Sequence, residues 1–126
     1  MRTNIKYTRI SSTPDIERHI ASRIQTIEKL IDPKDESAQA QVEVAKTSDH
    51  HKSGDVYRAE INMHIAGGDF YAFSEESDLQ KALDSVRDEI VRKLKTRKDK
   101  RMSFIRRGGR KIKDYLKGFI KSKKIK

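Results

Sequence analysis

Apolar residues in this sequence change their spacing three times along its first 94 positions. Ile5 and Tyr7 alternate with polar neighbours, alternation returns in residues 38–44 and 57–65, and residues 70–74 continue it. Two stripes have helical spacing instead: Ile16, Ile20, Ile24, Ile27 and Ile31, then Leu79, Ala82, Leu83, Val86, Ile90 and Leu94. Since a half-buried strand repeats every second residue and a helix every 3.6 residues, the pattern predicts the order β-α-β-β-β-α.

Local start and stop signals place the ends of the two helices. Thr13 is a suitable N-cap before Pro14 at the first helical position, and the first helix is expected to end near residues 32–33, because proline disfavours helix in the residue before it. Residues 77–80 fit a capping box at the start of the second helix, which is expected to continue to about Lys100.

Two further segments have the composition of turns. Residues 47–55 are almost entirely polar and predict a loop, and Gly67-Gly68 predicts a tight hairpin. Three successive antiparallel strands flanked by helices indicate an α+β fold, with a four-stranded sheet and two helices packed on one face. With 34% hydrophobic residues, the chain is sufficient for one small core but not for a large enclosed pocket.

Charge is distributed very unevenly along the chain. Residues 1–91 hold 12 basic and 17 acidic side chains, a net charge of −5, whereas residues 92–126 hold 17 basic and 2 acidic side chains, a net charge of +15. A mildly acidic body with an intensely basic C-terminal third indicates a polyanionic partner, because neutralising phosphates releases counterions. Charge alone does not distinguish RNA, DNA and an anionic membrane.

Basic residues of the second helix are the first candidates for phosphate contact. One or two cations at a helix C-terminus would satisfy the helix dipole, and this helix has seven. They are Arg92, Lys93, Lys95, Arg97, Lys98, Lys100 and Arg101. A further candidate group, Arg106, Arg107, Arg110 and Lys111, follows in the extension. Tyr71 and Phe73, if opposite the core, offer rings for base stacking, and packing against a loop or the tail is the alternative.

Residues 102–126 form a basic extension. Residues 106–111 predict a flexible hinge, and residues 112–120 carry an apolar stripe at helical spacing, which predicts a short basic amphipathic helix. Such an extension can follow RNA, lie on an anionic membrane, dock on a protein partner such as a ribosomal protein, or remain a disordered solubilising tail. We expect RNA contact, and the other three remain alternatives.

Catalytic and metal-binding chemistry finds no support in the residues. Cysteine is absent, which excludes disulfides, thiolate metal sites and thiol catalysis. His50 and His51 are adjacent, His64 lies on the polar side of a predicted strand and His19 on the first helix, so no pair has zinc-ligand spacing. We expect no enzyme, no metal, no cofactor and no small-molecule substrate. Without an apolar leader or membrane span, a cytoplasmic location is expected.

Several stretches resemble one known family. They are Gly67-Gly68-Asp69-Phe70, Ser74-Glu75-Glu76-Ser77-Asp78-Leu79, Ala82-Leu83-Asp84, Arg92-Lys93-Leu94 and Arg97-Lys98-Asp99-Lys100. Together with Asn4-Ile5-Lys6, the helix start at Thr13 and Val44-Ala45-Lys46, they are similar to the hibernation-promoting factor and ribosome-associated inhibitor A family over about residues 1–101. The resemblance implies a fold like that of double-stranded RNA-binding domains. It also implies binding to rRNA of the small ribosomal subunit, in the channel for messenger and transfer RNA, and steric inhibition of translation under stress.

The resemblance also implies particular RNA contacts and a domain division. The positions that match the family's basic pattern are Arg23, Lys46, Arg92, Lys98 and Lys100. Three positions depart from it: Gln80 stands where tyrosine is common, Glu89 where lysine is usual, and Arg87 where the residue is usually apolar. Residues 1–101 are expected to form the ribosome-binding domain, followed by the extension 102–126.

Two other functional classes remain open at the level of sequence. A general double-stranded RNA-binding module or RNA chaperone would use the same basic helix without a ribosomal site. A regulatory protein would instead bind another protein through the apolar stripe of the extension. Competition between ribosomes and duplex RNA separates the first of these from a ribosome-silencing factor.

Overall fold

A computed structural model describes the backbone of residues 1–51 and 54–124, and the side chains of residues 1–47, 54–100, 102, 103 and 106. Its elements are β1 (Arg2–Thr8), α1 (Pro14–Glu28), β2 (Gln39–His51), β3 (Gly54–Ile65), β4 (Gly68–Glu76) and α2 (Leu79–Lys124). The predicted order and the α+β class are confirmed. The chain divides into two compact units, Met1–Lys93 and Leu94–Lys126. The expected domain boundary after residue 101 stays a prediction.

One four-stranded sheet has the spatial order β1-β2-β3-β4. β1 is parallel to β2, whereas β2, β3 and β4 pair antiparallel. Two parallel neighbours cannot be joined by a tight turn, so the chain crosses over through α1 between them. The antiparallel strands follow one another directly, and β1 and β4 therefore form the two edges of the sheet.

The core lies between one face of the sheet and the helices. Val42 of β2 pairs with Ile61 of β3, which pairs with Ala72 of β4, and all three side chains are buried. The helical stripes are buried with them, at Ile20, Ile24 and Ile27 of α1 and at Leu83, Val86 and Ile90 of α2. Alternate residues of the strands form the opposite face, which is polar and largely exposed. The packing of both helices on one face thus confirms the predicted fold.

Helix α1 begins as predicted and ends earlier than predicted. Thr13 Oγ1 accepts a hydrogen bond from the backbone N–H of Ile16, with Pro14 at the first helical position. The helix ends at Glu28, and the N–H groups of Leu30 and Ile31 bond to carbonyls three residues back. This tighter turn ends the helix before the proline signal at residues 32–33 is reached.

The predicted polar loop at residues 47–55 is wrong over most of its length. β2 continues to His51, β3 begins at Gly54, and the pairing register shifts between Thr47 and His51. Pairing with an antiparallel neighbour extends the strand here, although the composition of the segment is typical of a loop. The glycine hairpin is present, but Ile65 pairs with Gly68, so the turn lies one residue earlier than predicted. Gly67 has φ +91°, a conformation that favours glycine.

Helix α2 differs from the sequence prediction at both ends. At its start, Oδ1 of Asp78 accepts a hydrogen bond from the N–H of Gln80, so the cap is Asp78 rather than Ser77 of a capping box. The helical backbone runs to Lys124 instead of about Lys100, and passes through the predicted hinge at residues 106–111. Each glycine costs a helix about 1 kcal/mol relative to alanine but keeps its N–H and carbonyl, so the ladder continues through Gly108 and Gly109. Neither described helix is long and apolar enough to span a membrane.

Candidate nucleic-acid interface

The predicted RNA-binding residues lie in both units of the chain, and each unit is described by itself. Arg23, Lys46, Arg92 and Lys93 belong to the first unit, and Lys95, Arg97, Lys98, Lys100 and Arg106 belong to the second. The side chains of Arg101, Arg107, Arg110 and Lys111 lie outside the described residues, as does the apolar stripe of residues 112–120. The described basic side chains differ sharply in what they contact.

Arg23 is bound within the protein. Its Nε–H donates to Oδ1 of Asp84 on α2, and its side chain is only 22% exposed. Burial favours the neutral acid, but the hydrogen bond and charge of Arg23, with Arg87 and His19 nearby, hold the pKa of Asp84 below its ordinary value. Arg23 therefore joins α1 to α2 in the free protein.

Two further side chains complete an interhelical cluster of His19, Arg23, Asp84 and Arg87. Nε2 of His19 lies 3.5 Å from Oδ1 of Asp84, and Nη1 of Arg87 lies 3.8 Å from the same oxygen. Arg87 also contacts Asp88 at 2.8 Å. The resemblance led us to expect an apolar residue at position 87, and the carboxylates of Asp84 and Asp88 explain how a charge is accommodated there.

Glu89 lowers the positive charge at the end of the first unit. Its Oε1 lies 3.4 Å from Nζ of Lys93 and 4.0 Å from Nη2 of Arg92. Lys93 also donates to the carbonyl oxygen of Tyr71 at 2.5 Å, which connects α2 to the edge strand β4. Arg92 remains exposed, whereas Lys93 has a structural role in addition to any contact with RNA.

Lys46 lies on β2, one residue before the register shift that begins at Thr47. Its Nζ is 3.3 Å from Oδ2 of Asp55 on β3, and its side chain is 41% exposed. Such a partly exposed ion pair contributes little to stability, so the ammonium group can exchange its carboxylate for a phosphate at small cost.

The lysines of the second unit differ from Arg23 and Lys46 in their exposure and in their ion pairing. Lys95, Lys98 and Lys100 are exposed, and the described side chains include no carboxylate that pairs with any of them. At 3.6 residues per turn, Lys98 lies about 60° from Lys95 around the helix axis and Lys100 about 140° from it. The three lysines thus lie on more than one side of the helix. Arg97 is half-buried and has a partner within the protein, and Arg106 is exposed.

The polar face of the sheet carries a cluster of charged and aromatic side chains, of which the sequence analysis identified only the two aromatic residues. The sheet-face cluster comprises Arg58, Glu60, Tyr71, Phe73 and Glu75, which the β3–β4 register brings together. Arg58 donates to Glu60 at 3.0 Å and to Glu75 at 3.2 Å, and its guanidinium carbon lies 4.2 Å from the centre of the Phe73 ring. Tyr71 and Phe73 project from this face, as predicted for residues opposite the core. Strand alternation identifies each member, but only the pairing register shows that they meet.

Hydrogen bonds set the protonation of this cluster. The bond from Arg58, with one from the Tyr71 hydroxyl, holds the pKa of Glu60 below its ordinary value. The bond that Tyr71 donates to Glu60 raises the pKa of the phenol. Glu60 is therefore a carboxylate and Tyr71 a neutral phenol at neutral pH.

The first unit also has an open cleft of about 530 Å³. It lies between the starts of α1 and α2, where Ile16, His19 and Leu83 line it with Asp15 and Asp78. No group of three or more His, Asp or Glu side chains within the described part of the chain is arranged to hold a metal ion.

Comparison with known proteins gives a consistent family match. The family described as Sigma 54 modulation protein / S30EA ribosomal protein matches residues 3–102, well over half of the chain. A protein of Pseudomonas putida named ribosome hibernation promoting factor is 25% identical over 105 residues, which cover 83% of this chain and 94% of the relative.

Two solved structures share the fold. The N-terminal domain of Protein Y from Thermus thermophilus superposes with a TM-score of 0.62 at 21% identity, over 76% of this chain and 98% of that one. A ribosomal subunit interface protein from Coxiella burnetii has a TM-score of 0.57 at 16% identity, over 75% of this chain and 97% of that one. At these identities the likeness concerns the fold alone.

Proposed function

Because the chain belongs to the Sigma 54 modulation protein / S30EA ribosomal protein family, we propose that it is a ribosome hibernation factor. It binds the small ribosomal subunit through rRNA, in the channel for messenger and transfer RNA, and inhibits translation under stress. The name of the Pseudomonas putida relative, which aligns over nearly its whole length, supports the same role.

The observation that carries the proposal is the exposed set Lys95, Lys98 and Lys100. Each has an ammonium group that no described carboxylate neutralises, so contact with phosphate displaces only counterions and water. Lysines on several sides of one helix suit a channel with RNA on more than one wall. Arg92 adds a guanidinium that is weakly paired, at 4.0 Å from Glu89.

The mechanism is occlusion rather than chemistry. A folded domain in the decoding channel and a messenger or transfer RNA cannot occupy the same volume, so inhibition needs only affinity and shape. We therefore propose a non-enzymatic protein that acts in the cytoplasm, where ribosomes work. Arg23 and Lys46 contribute to RNA contact only by exchanging Asp84 and Asp55 for phosphate.

Co-sedimentation with ribosomes tests the proposal. The purified chain is centrifuged with 70S particles and separated subunits through sucrose at about physiological salt, with excess duplex RNA as competitor. Retention on the small subunit and on whole ribosomes despite the competitor is expected. Loss of the protein to the duplex would show a general RNA-binding module instead, because such a module recognises only A-form shape.

A matched pair of variants identifies the surface. The triple change Arg92→Glu, Lys98→Glu and Lys100→Glu is expected to abolish retention, whereas Lys29→Glu and Lys34→Glu, which change exposed cations near the end of α1, are expected to retain it. Equal retention of both variants, with unchanged circular dichroism, would refute the α2 surface.

The extension is tested by salt dependence. Deleting residues 102–126 is expected to weaken binding and to reduce the slope of log affinity against log salt, since that slope scales with the phosphates neutralised. An unchanged slope would show that the extension does not contact RNA, and would favour its protein or membrane alternatives.

A further inference from the structure

The open face of β3 and β4 carries an unusual pair of aromatic rings. Tyr71 is 43% exposed and Phe73 is 48% exposed, and their ring centres lie 6.3 Å apart at an interplanar angle of 47°. The other large apolar side chains that are exposed in the described chain are Ile5, Leu30 and Met102. Adjacent exposed rings on a rigid sheet are typical of an interaction surface rather than of scattered surface residues.

Arg58 shows which chemical group this surface accommodates. Its guanidinium lies over one face of Phe73 at 4.2 Å, while Nη1 bonds to Glu75 and Nη2 to Glu60. A planar cation is thus held by a ring below it and carboxylates at its edge, which is the arrangement that favours arginine over lysine. Phe73, Glu60 and Glu75 thus already bind one arginine of the same chain, Arg58.

Acceptors and rings remain available for a second cation. Tyr71 and Arg58 both bond to Oε2 of Glu60, and Arg58 bonds to Oε1 of Glu75. The structure gives Oε1 of Glu60 and Oε2 of Glu75 no hydrogen bond from any described residue. The cluster has two carboxylates for one guanidinium. This excess negative charge repels a phosphate backbone and attracts a basic polypeptide.

Lys93 determines how a partner can approach. Its ammonium group bonds to the carbonyl of Tyr71, on the outer edge of β4, and so occupies a group that an added strand would need. Strand addition along β4 is therefore obstructed at its middle. A partner must lie across the face of the sheet, over the rings, rather than along its edge.

We propose that the sheet-face cluster is a docking surface for an arginine-containing basic segment of another protein. The partner's guanidinium stacks on the exposed rings of Tyr71 and Phe73 and bonds to the free oxygens of Glu60 and Glu75. The inference goes beyond the proposed ribosome binding and does not depend on it, because the sheet-face cluster includes none of Lys95, Lys98 and Lys100.

Nuclear magnetic resonance titration of the labelled full chain tests the proposal. The probe is a short peptide in which arginine alternates with serine, and a matched peptide has lysine in place of arginine. Amide shifts are expected in residues 58–62 and 70–75, with weaker binding of the lysine peptide. Phe73→Leu, which keeps apolar area but removes the ring, is expected to weaken arginine-peptide binding about three- to fivefold. Glu75→Gln is expected to weaken it to a similar extent.

Controls and contrary outcomes are defined by the same titration. Leu30→Ala and Glu36→Gln change an exposed apolar and an exposed acidic residue elsewhere, and are expected to leave the affinity unchanged. Equal affinity for both peptides, together with no effect of Phe73→Leu or Glu75→Gln, would overturn the proposal. So would an oligouridylate that shifts the same amides and displaces the peptide, since the face would then bind single-stranded RNA. Ribosome retention of Phe73→Leu, measured separately, distinguishes failure here from failure of the proposed function.

Discussion

Arg23 donates its Nε–H to Oδ1 of Asp84, so the arginine that the family resemblance assigns to RNA contact joins α1 to α2 in the free protein. The two residues are 61 positions apart in the chain, and His19 and Arg87 approach the same carboxylate. This arrangement separates two kinds of basic residue. Some are held by carboxylates of the fold, and others, above all the lysines at 95, 98 and 100, have no such partner among the described side chains.

A double-mutant cycle measures what the Arg23–Asp84 contact contributes. Arg23→Gln and Asp84→Asn are each expected to lower the free energy of unfolding by about 1 kcal/mol. The effect is modest because the side chain of Arg23 is 22% exposed and that of Asp84 is 40% exposed. Urea unfolding of the single and double variants gives the coupling. Strictly additive losses would mean that the two side chains do not interact in solution.

Acid should weaken this contact in a defined direction. The folded pKa of Asp84 lies below 3.8, so the native state binds fewer protons than the unfolded chain. The stabilisation is fully present above the unfolded pKa and is lost as the pH falls through the folded pKa. Unfolding in urea between about pH 6 and pH 2.5 is expected to show the difference between wild type and Asp84→Asn shrinking below about pH 4. A difference that grows in acid would contradict the assignment.

Lys93 and Lys95 are neighbours on α2 with opposite expected roles. Lys93→Ala removes the bond to the Tyr71 carbonyl and the pair with Glu89, and is expected to lower stability by about 0.5–1 kcal/mol. Lys95→Ala is expected to leave stability unchanged and to weaken ribosome binding, because its ammonium is exposed. Thermal unfolding and ribosome co-sedimentation of both variants check this. Identical behaviour of the two would remove the distinction.

The continuous helical backbone of α2 through Gly108 and Gly109 makes a prediction about the extension. Replacing both glycines by alanine is expected to favour helix there by about 1–2 kcal/mol in total, because each glycine is about 1 kcal/mol less favourable than alanine. Circular dichroism at 222 nm is expected to gain intensity while ribosome binding persists. Lost binding with a gain in helicity would instead identify a functional hinge at these positions.

Much of the fold follows from local patterns alone. Ile20, Ile24 and Ile27 are buried because helical spacing places them on one side of α1, and the buried residues of β2 and β3 follow from strict alternation. The cap at Thr13 is a contact over three residues, and it too was predictable. The basic character of α2 can be read from its composition. The resemblance to the family rests instead on particular stretches of sequence, such as Gly67-Gly68-Asp69-Phe70.

Tertiary structure decided what depends on distance across the chain. β2 continues to His51 because β3 lies beside it. The early end of α1 at Glu28 is instead a local effect, since Leu30 and Ile31 bond to carbonyls three residues back. The partners of Arg23 and Lys93 lie 61 and 22 positions away, and the sheet-face cluster exists only in one register of β3 against β4. A sequence determines which side chains share a face, because that follows from backbone period. Which charges meet depends on how the elements pack, because an ion pair requires its two atoms within about 4 Å.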